Sequence, residues 1–574
     1  MRGRSEARNT ARIGAIALWV ISVCAIAESI PPSPPDHDIS GFAIPSRTPR
    51  TPQEIDADFV RLLEQATWGP SDALLAHAKA IGAAAFVDEQ LAMPGTRFTV
   101  FTPVPANRPD DCVDDKTLPV TPTSYCARDN YSLFQLQREF FRNAIGAPDQ
   151  LRQRVAFALS QILVTSGTDI SLAYAMQRYQ QMLADLAFDN FRSVLLEVTL
   201  SPVMGNYLDM ANNLKPNTKT GVEPNENYAR ELLQLFSIGT VELGPDGAPL
   251  VDAQGKSIAT YDQDEIEGFA HVFTGWTYPT APGQNPRNVN PRYFDGPMEQ
   301  RSANHDTGAK ALLDGKVSPA GLTMDADLAS AIDNVFNHPN VGSFIARQLI
   351  QKLVTGDPSP LYVRRIANVF DDNGAGVRGD LKAVVRALLL DPEARGPAKA
   401  DASYGRLREP AQYVVAVARA LNATSDGVFF RVQANAMGQP VYTAPSVFNF
   451  YPPDYVVPST DIVGPEFALQ NTSSALARIN YVNSLVYGGD VGPDASVYGA
   501  TGTHFDWSTL TALAGDANAL VAKLDALLLH GTLSAAAQST IVGAVNAVSA
   551  GDPLGRARMA FYLVASSAQY QVER

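Results

Sequence analysis

One stretch near the middle of the chain, Asn225–Gly239, has the sequence NENYARELLQLFSIG. A helix turns by about 100° per residue, and at that angle this stretch separates polar from apolar side chains. The polar arc consists of Glu226, Asn227, Arg230, Glu231, Gln234 and Ser237, and the apolar arc consists of Tyr228, Ala229, Leu232, Leu235 and Phe236. Asn225 is suited to cap the start of this helix, and Gly239 is suited to end it. The stretch therefore predicts an amphipathic helix around which the rest of the chain packs.

The polar arc has two interpretations. Two acids, an arginine and an amide on one face are typical of a binding or catalytic wall, whereas Glu226 and Arg230 also have the spacing of an ordinary exposed ion pair. Because Arg230 is flanked by residues that must pack, we expect a buried pair. Substitution of Glu226 by Gln should then cost about 3–5 kcal/mol, rather than the about 0.3–0.5 kcal/mol of an exposed pair.

The composition indicates a globular and acidic protein. Of the 574 residues, 45% are hydrophobic and 18% are charged, and the net charge is −14. These values differ from those of disordered chains. A nucleic acid partner is not expected, because phosphate binding requires a basic face.

The first residues have the pattern of an export signal. Four arginines precede the apolar run Ile13–Ala27, which ends in Ala25-Ile26-Ala27. This order predicts a signal peptide, residues 1–27, cleaved after Ala27, and a secreted or periplasmic protein without a transmembrane anchor. Cys24 raises a lipoprotein alternative, although the preceding Val23 is larger than such a site normally allows. Residues 28–50 are rich in proline and predict a disordered lead-in.

The mature chain retains two cysteines, Cys112 and Cys126, within one polar segment. An even pair in an exported protein predicts a disulfide bond. In the chain-entropy model, so short a loop gives about 3 kcal/mol of stabilisation.

The apolar periodicity predicts a mainly α fold, a large multi-helical array with long loops. Helices are expected over 56–66, 71–91, 133–143, 151–164, 172–187, 191–200, 262–273, 325–336, 341–354, 360–371, 380–390, 410–421, 473–487, 510–529, 534–550 and 556–567. Residues 241–260 predict a small β-hairpin or meander. We expect residues 51–574 to form a single large helical domain whose C-terminal helical part covers about 505–574.

Seven histidines limit the catalytic candidates. His305 and Asp306 end a long loop, with Lys310 shortly after, so acid, imidazole and amine lie on one segment. The alternative is a hydrogen-bonded turn. His271 follows Glu267 by four residues, a spacing that suits two metal ligands, but such pairs are common and no metal site is predicted.

These features together predict one site. We expect the loop after Trp276 to fold back over the polar arc and to bring His305 or Asp306 within reach of Glu226, Arg230 or Glu231. The predicted catalytic residues are Glu226, Glu231, His305 and Asp306, and the predicted substrate-binding residues are Asn225, Asn227, Arg230, Trp276 and Lys310.

Several motifs are specific enough to indicate a family. They are Asn225–Gly239, Phe273–Trp276, Ala66–Pro70, Arg152–Ser160, Ser201–Gly205, His305–Lys310, Arg378–Leu381, Gly438–Pro440 and Gln569–Val572. In this order along the chain they resemble the bacterial Domain of Unknown Function 1800 family. His271 and Trp68 depart from its pattern. The resemblance implies a large, mostly helical, exported protein, often encoded beside a Domain of Unknown Function 1501 protein that looks like a sulfatase or phosphatase relative. It implies no activity.

Two functions remain open at this point. The first is an enzyme, a hydrolase or lyase that cleaves an extracellular glycan with a carboxylate and histidine cluster. The second is a non-catalytic helical scaffold or binding protein of the cell envelope, partnered with the phosphatase-like neighbour. In that case the polar motif would be a buried structural network. We favour the enzyme, since buried charges are costly without a use. The sequence identifies no cofactor.

Overall fold

The helices lie close to where the apolar periodicity predicts them. The computed structural model describes residues 51–115, 120–396, 401 and 403–574. The predicted signal peptide and lead-in lie outside these residues. Helices of the first half are α1 Pro52–Ala66, α2 Asp72–Ile81, α3 Ala83–Ala92, α4 Cys126–Tyr131, α5 Phe134–Gly146, α6 Gln150–Ile162, α7 Ala173–Asp185, α8 Phe191–Leu200, α9 Pro202–Tyr207, α10 Asn227–Gln234 and α11 Gln263–Val272.

The second half continues the helical array. Its helices are α12 Met324–Phe336, α13 Asn340–Leu353, α14 Pro360–Asp371, α15 Leu381–Leu390, α16 Pro392–Arg395, α17 Pro410–Arg419, α18 Val428–Ala436, α19 Thr472–Gly488, α20 Ser508–Leu513, α21 Ala517–Leu528, α22 Ala535–Ala547, α23 Pro553–Ala565 and α24 Ala568–Gln571. Short 3₁₀ helices cover Ser302–Asn304 and Pro465–Leu469. The prediction of a mainly α fold is confirmed.

Differences from the predicted helices have local causes. The helix expected over 71–91 is two helices, because Gly82 at φ 90° interrupts it. The central helix α10 is shorter than the predicted stretch and ends at Gln234, followed by tight turns to Gly239, which has the expected positive φ. The helix predicted over 262–273 starts at a capping box, with Asp262 and Glu265 as its two members.

The β structure is sparse. It consists of antiparallel pairs of two-residue strands: β1 Trp276–Thr277 with β2 Glu299–Gln300, β3 Lys310–Ala311 with β4 Val317–Ser318, β5 Arg406–Leu407 with β8 Val572–Glu573, and β6 Thr424–Ser425 with β7 Thr503–His504. The predicted excursion over 241–260 forms isolated antiparallel bridges instead of a regular hairpin, for example Val241 with Ala259 and Val251 with Ser257.

Buried apolar side chains join the helices into one cluster that extends from Leu62 in α1 to Tyr570 in α24. Residues Pro52–Arg574 form one compact unit. The predicted disulfide between Cys112 and Cys126 is present, with Cα atoms 5.2 Å apart. Among the helices of the described residues, none is both long and apolar enough to cross a membrane.

The pairing of β5 with β8 carries charged side chains into the interior. Six of them form what we call the ionic core, namely Arg154, Lys352, Arg406, Glu409, Glu466 and Glu573. Arg406 lies 3.7 Å from each of the three carboxylates and is fully buried. Nearby, Arg408 bonds Glu64 of α1 and the carbonyl oxygen of Tyr570. The beginning, middle and end of the compact unit therefore meet at buried charges.

Candidate functional site

The polar arc of α10 starts at an exposed ion pair. Arg230 donates to Glu226 Oε2 (2.7 Å), and the side chains are 40% and 32% exposed. Gln263 of α11 donates to Glu226 Oε1 (3.0 Å). The expected buried pair is therefore wrong: at the start of α10 the polar arc faces solvent, and only its apolar arc packs against the core.

The two asparagines at the start of α10 hold the preceding chain. Asn213 accepts from the backbone N–H of Asn225 (2.8 Å) and donates to its carbonyl oxygen (3.1 Å). The side chain of Asn227 donates to Asp209 Oδ2 (2.8 Å). Both asparagines are exposed, so their described contacts fix the entry into α10 and leave their surfaces accessible.

Glu231 has a different environment from Glu226, one turn earlier. Its side chain is partly buried, and Oε2 lies within the protein without a hydrogen-bond donor. Burial raises the pKa of the Glu231 carboxyl to about 7, and the smaller influence of Arg230 lowers it. Near neutral pH this carboxyl is therefore present in both protonation states, as a general acid or base requires.

Two phenols lie within electrostatic reach of Glu231, and a second carboxylate lies within reach of one of them. Burial raises the pKa of Tyr207 and of Tyr261, and the charge of Glu231 raises both further. The charge of Asp169 acts on Tyr207 in the same direction. Asp169 is exposed and both tyrosines are partly buried. We call these four side chains the Glu231 site.

The loop that carries His305 and Asp306 is clamped by the segment after α11. His305 Nδ1 donates to the carbonyl oxygen of Thr274 (2.9 Å), and the backbone N–H of Asp306 donates to Thr274 Oγ1 (2.9 Å). Gly275 has φ +87°, and a Cβ atom there would lie 3.0 Å from the Cβ of His305. A glycine is needed at this position because the two backbones approach so closely.

His305 and Lys310 belong to a buried cluster around Asp327 of α12. His305 Nε2 lies 2.9 Å and Lys310 Nζ 2.7 Å from the same oxygen, Asp327 Oδ2, and Ser318 donates to Oδ1. His305 and Lys310 are each 2% exposed and Asp327 is 0% exposed. This arrangement does not suit the predicted contact of His305 and Lys310 with a substrate, because Asp327 draws both side chains into the interior. Trp276 is also a core residue, 3% exposed.

Asp306 points to a different partner. One of its oxygens is bonded to Nδ1 of His271 on α11, and the other accepts from the backbone N–H of Gly308 (2.8 Å). Burial raises the pKa of Asp306, but the hydrogen bonds from His271 and from the N–H of Gly308, together with the charges of His271 and Lys310, hold it below its usual value. The two side chains are about a quarter exposed, so this dyad reaches the surface.

Helix α11 separates the two halves of the predicted site. Its residue Gln263 contacts Glu226, whereas its residue His271 contacts Asp306. Eight residues of helix span about 12 Å. No hydrogen bond or ion pair in the described ranges joins His305 or Asp306 to Glu226, Arg230 or Glu231. The expected approach, either direct or through one water, is therefore not seen as a direct contact among the described residues, because the loop folds onto the end of α11.

Among the described side chains, no three His, Cys, Asp or Glu residues are grouped so as to hold a metal ion. A groove of about 560 Å³ lies elsewhere, along α7 and α8. Its lining consists of Arg97, Val100, Gln177, Arg178, Gln181, Met182, Asp185, Leu186, Asp189, Ser193 and Glu197.

Several residues of these sites are not found by sequence reasoning. Tyr207 and Asp169 lie far from α10 in the chain, and no local pattern connects them to it. Asp327 lies in the first turn of α12. An acidic residue is favourable there because of the helix dipole, so its position alone does not indicate a buried cluster. His271 is the residue that the sequence does indicate as a candidate, since its spacing from Glu267 places it on the exposed side of α11.

Of the comparisons with known proteins, the one with family models agrees with the motifs. Curated proteins give no match, and solved structures give none either. A family model described as a protein of unknown function, DUF1800, matches residues 61–572, which is nearly the whole described chain. The chain therefore belongs to the DUF1800 family.

Proposed function

We propose that this protein is a hydrolase or lyase that cleaves an extracellular glycan, with Glu231 as the proton-transferring carboxyl. The observation that carries the proposal is the pKa of Glu231, which burial raises to about 7. A carboxyl that is half protonated near neutral pH can give a proton to a leaving oxygen or take one from an attacking group.

The surroundings of Glu231 support a carbohydrate substrate. Tyr207 and Tyr261 offer partly exposed aromatic rings, and ring faces of this kind pack against the apolar faces of sugars. Asp169 supplies a second carboxylate near Tyr207 in an exposed environment. Enzymes that cleave glycosidic bonds commonly use two carboxyl groups in unlike surroundings, one as acid and the other as base or nucleophile.

The proposal assigns a smaller role to the other predicted residues. Glu226 and Arg230 form an exposed pair at the edge of the site, suited to orienting a polar polymer. At the other end of α11, Asp306 and His271 form a hydrogen-bonded dyad. This dyad is suited to binding a distant part of the same polysaccharide.

The experiment measures bond cleavage with a matched pair of variants. The full-length exported protein is incubated with a panel of polysaccharides that includes peptidoglycan and uronate polymers. New reducing ends report any cleavage, and absorbance of unsaturated uronides separates elimination from hydrolysis. Glu231→Gln should lower the rate about 10²–10⁴-fold, whereas Glu89→Gln, in an exposed pair with His77, should leave it nearly unchanged. Equal rates for wild type and Glu231→Gln would overturn the assignment.

The second candidate is a binding protein of the envelope that works with the phosphatase-like neighbour. The observation in its favour is the buried cluster of His305, Lys310 and Asp327, since carboxylates that are paired and buried are structural. The groove along α7 and α8 supplies a surface for such a partner. Co-purification with the neighbour that survives Glu231→Gln, together with no cleavage of any polymer, would favour this candidate.

A further inference from the structure

The buried cluster around Asp327 places an amine directly against a carboxyl group. Lys310 Nζ lies 2.7 Å from Asp327 Oδ2, and both side chains are almost completely excluded from solvent. Lys310 also donates to the carbonyl oxygen of Gly308 (2.9 Å), which limits the movement of its ammonium group. An isolated charge pair in the interior is costly to maintain.

We propose that Lys310 and Asp327 condense to an isopeptide bond between Nζ of the lysine and Cγ of the aspartate. The hydrogen bond between Nζ and Oδ2 holds the nucleophile beside the carboxyl group whose carbon it attacks. Intramolecular reactants held in this way have effective concentrations far above those of free reactants. The fold thus supplies the orientation that an uncatalysed amide condensation lacks.

His305 is positioned to move the protons. Its Nδ1 faces the carbonyl oxygen of Thr274, which can only accept, so Nδ1 carries a hydrogen. Its Nε2 faces Asp327 Oδ2 at 2.9 Å. One proton therefore lies between the imidazole and the carboxyl, and a second is shared between the same oxygen and Lys310.

Ser318 completes the site on the other oxygen. Its hydroxyl donates to Asp327 Oδ1, which is the oxygen that remains on Cγ through the reaction. A donor fixed at this place stabilises the negative charge that develops when the carbon becomes tetrahedral. His305 and Ser318 act here as positioning and proton-handling groups on opposite sides of one carboxyl.

The step balances without a further reactant. A proton passes from Lys310 Nζ to Asp327 Oδ2, which gives an amine and a carboxylic acid. The Nζ lone pair forms the bond to Cγ, and His305 relays a second proton from Nζ to Oδ2. The bond between Cγ and Oδ2 then breaks, one water molecule leaves, and an uncharged amide remains in the interior. The charges that were costly to bury are removed.

The bond would add a covalent cross-link between two neighbouring elements of the chain. Lys310 lies in β3 and Asp327 in α12, so the link ties the β3–β4 hairpin to the helix. It also encloses the segment between them in a covalent ring.

The test is a peptide map of the wild-type full chain after denaturation and reduction of its disulfide. We expect a branched peptide that joins Lys310 to Asp327 and is lighter by one water molecule than its two parts. Trypsin should fail to cut after Lys310. The exposed pair of Lys79 and Asp56, at 2.6 Å, is an internal control in the same digest and should remain unlinked.

Variants separate the reaction from simple packing. Lys310→Arg preserves the positive charge and should lose the branched peptide completely. His305→Ala should slow formation of the link in newly refolded protein by about 10²–10⁴-fold. A wild-type digest that contains only the unlinked Lys310 peptides, even after long incubation of the folded protein, would overturn the proposal whether or not the variants fold. The result is independent of any glycan cleavage at Glu231.

Discussion

At the scale of single residues, Glu231 links stability to pH. Its carboxyl has a pKa of about 7 in the folded protein against an ordinary 4.5, so the folded state holds its proton more tightly than the unfolded state. As pH rises from about 4.5 to about 7, the unfolded chain releases this proton first, and the free energy of unfolding falls. We expect a loss of about 2–3 kcal/mol over this window.

Glu231→Gln should remove that dependence. The variant and the wild type should be similarly stable near the acid end of the window, and the variant should be the more stable of the two above about pH 7. Chemical denaturation at several pH values measures the difference. A constant difference across the window would show that burial does not perturb this carboxyl.

Glu226 provides the contrasting prediction one turn away. Its pair with Arg230 is substantially exposed, so Glu226→Gln should lower the free energy of unfolding by only about 0.2–1 kcal/mol. Thermal unfolding at low and high salt tests this, because screening should shrink the effect further. A cost of several kcal/mol would restore the buried network that the sequence suggested.

The same two glutamates show what the sequence can predict about the site. The helical pattern correctly places Glu226 and Glu231 on one polar arc. It cannot show that Tyr207 and Tyr261 cover one of them and leave the other in solvent, because burial is set by segments distant in the chain. For the same reason the sequence indicates His305 as reactive, whereas Asp327 draws it into the interior.

At the scale of elements, α11 packs on β3 through a glycine. A Cβ atom at Gly268 would lie 1.9 Å from the carbonyl oxygen of Ala311. Alanine is normally the better helix former by about 1 kcal/mol, but here the contact with backbone must prevail. Gly268→Ala should therefore lower the free energy of unfolding by about 1–3 kcal/mol or more, as at other overpacked sites, and the melting temperature should fall with it.

Gly543 is the matched control for this prediction. It lies within α22 with open space around it, so Gly543→Ala should raise stability by about 0.4–1 kcal/mol. Differential scanning calorimetry of both variants shows whether each substitution raises or lowers the melting temperature. Equal effects would mean that the close approach of α11 to β3 is not maintained in solution.

Some helix boundaries followed from the sequence where a proline or a cap marks them. The helix over Pro360–Asp371 has the predicted limits, and Asp380 caps α15, which was expected to start there. The two-residue strands could not be predicted, since their partners, such as Arg406 and Glu573, are far apart in the chain. Local periodicity carries no information about pairing over such distances.

At the scale of the whole molecule, the free energy of unfolding depends strongly on the few charges of the ionic core. Arg406→Met would leave Glu409, Glu466 and Glu573 with too little compensating charge, and should cost about 3–5 kcal/mol. Arg386→Met is the control, because its pair with Asp88 is half exposed and should cost less than about 1 kcal/mol. Denaturation midpoints compare the two. A neutral result for Arg406 would mean that water reaches the ionic core.

The pairing of β5 with β8 also limits how early the interior of the molecule can finish folding during synthesis. Arg406 and Leu407 leave the ribosome long before Val572 and Glu573, and until then their strand edge has no partner. Early helices of a nascent chain can form as they emerge, but the interior cannot close until the last strand arrives. The ionic core therefore cannot be completed before β8 has been synthesised, and a chain truncated before Val572 would lack the carboxylate of Glu573 beside Arg406.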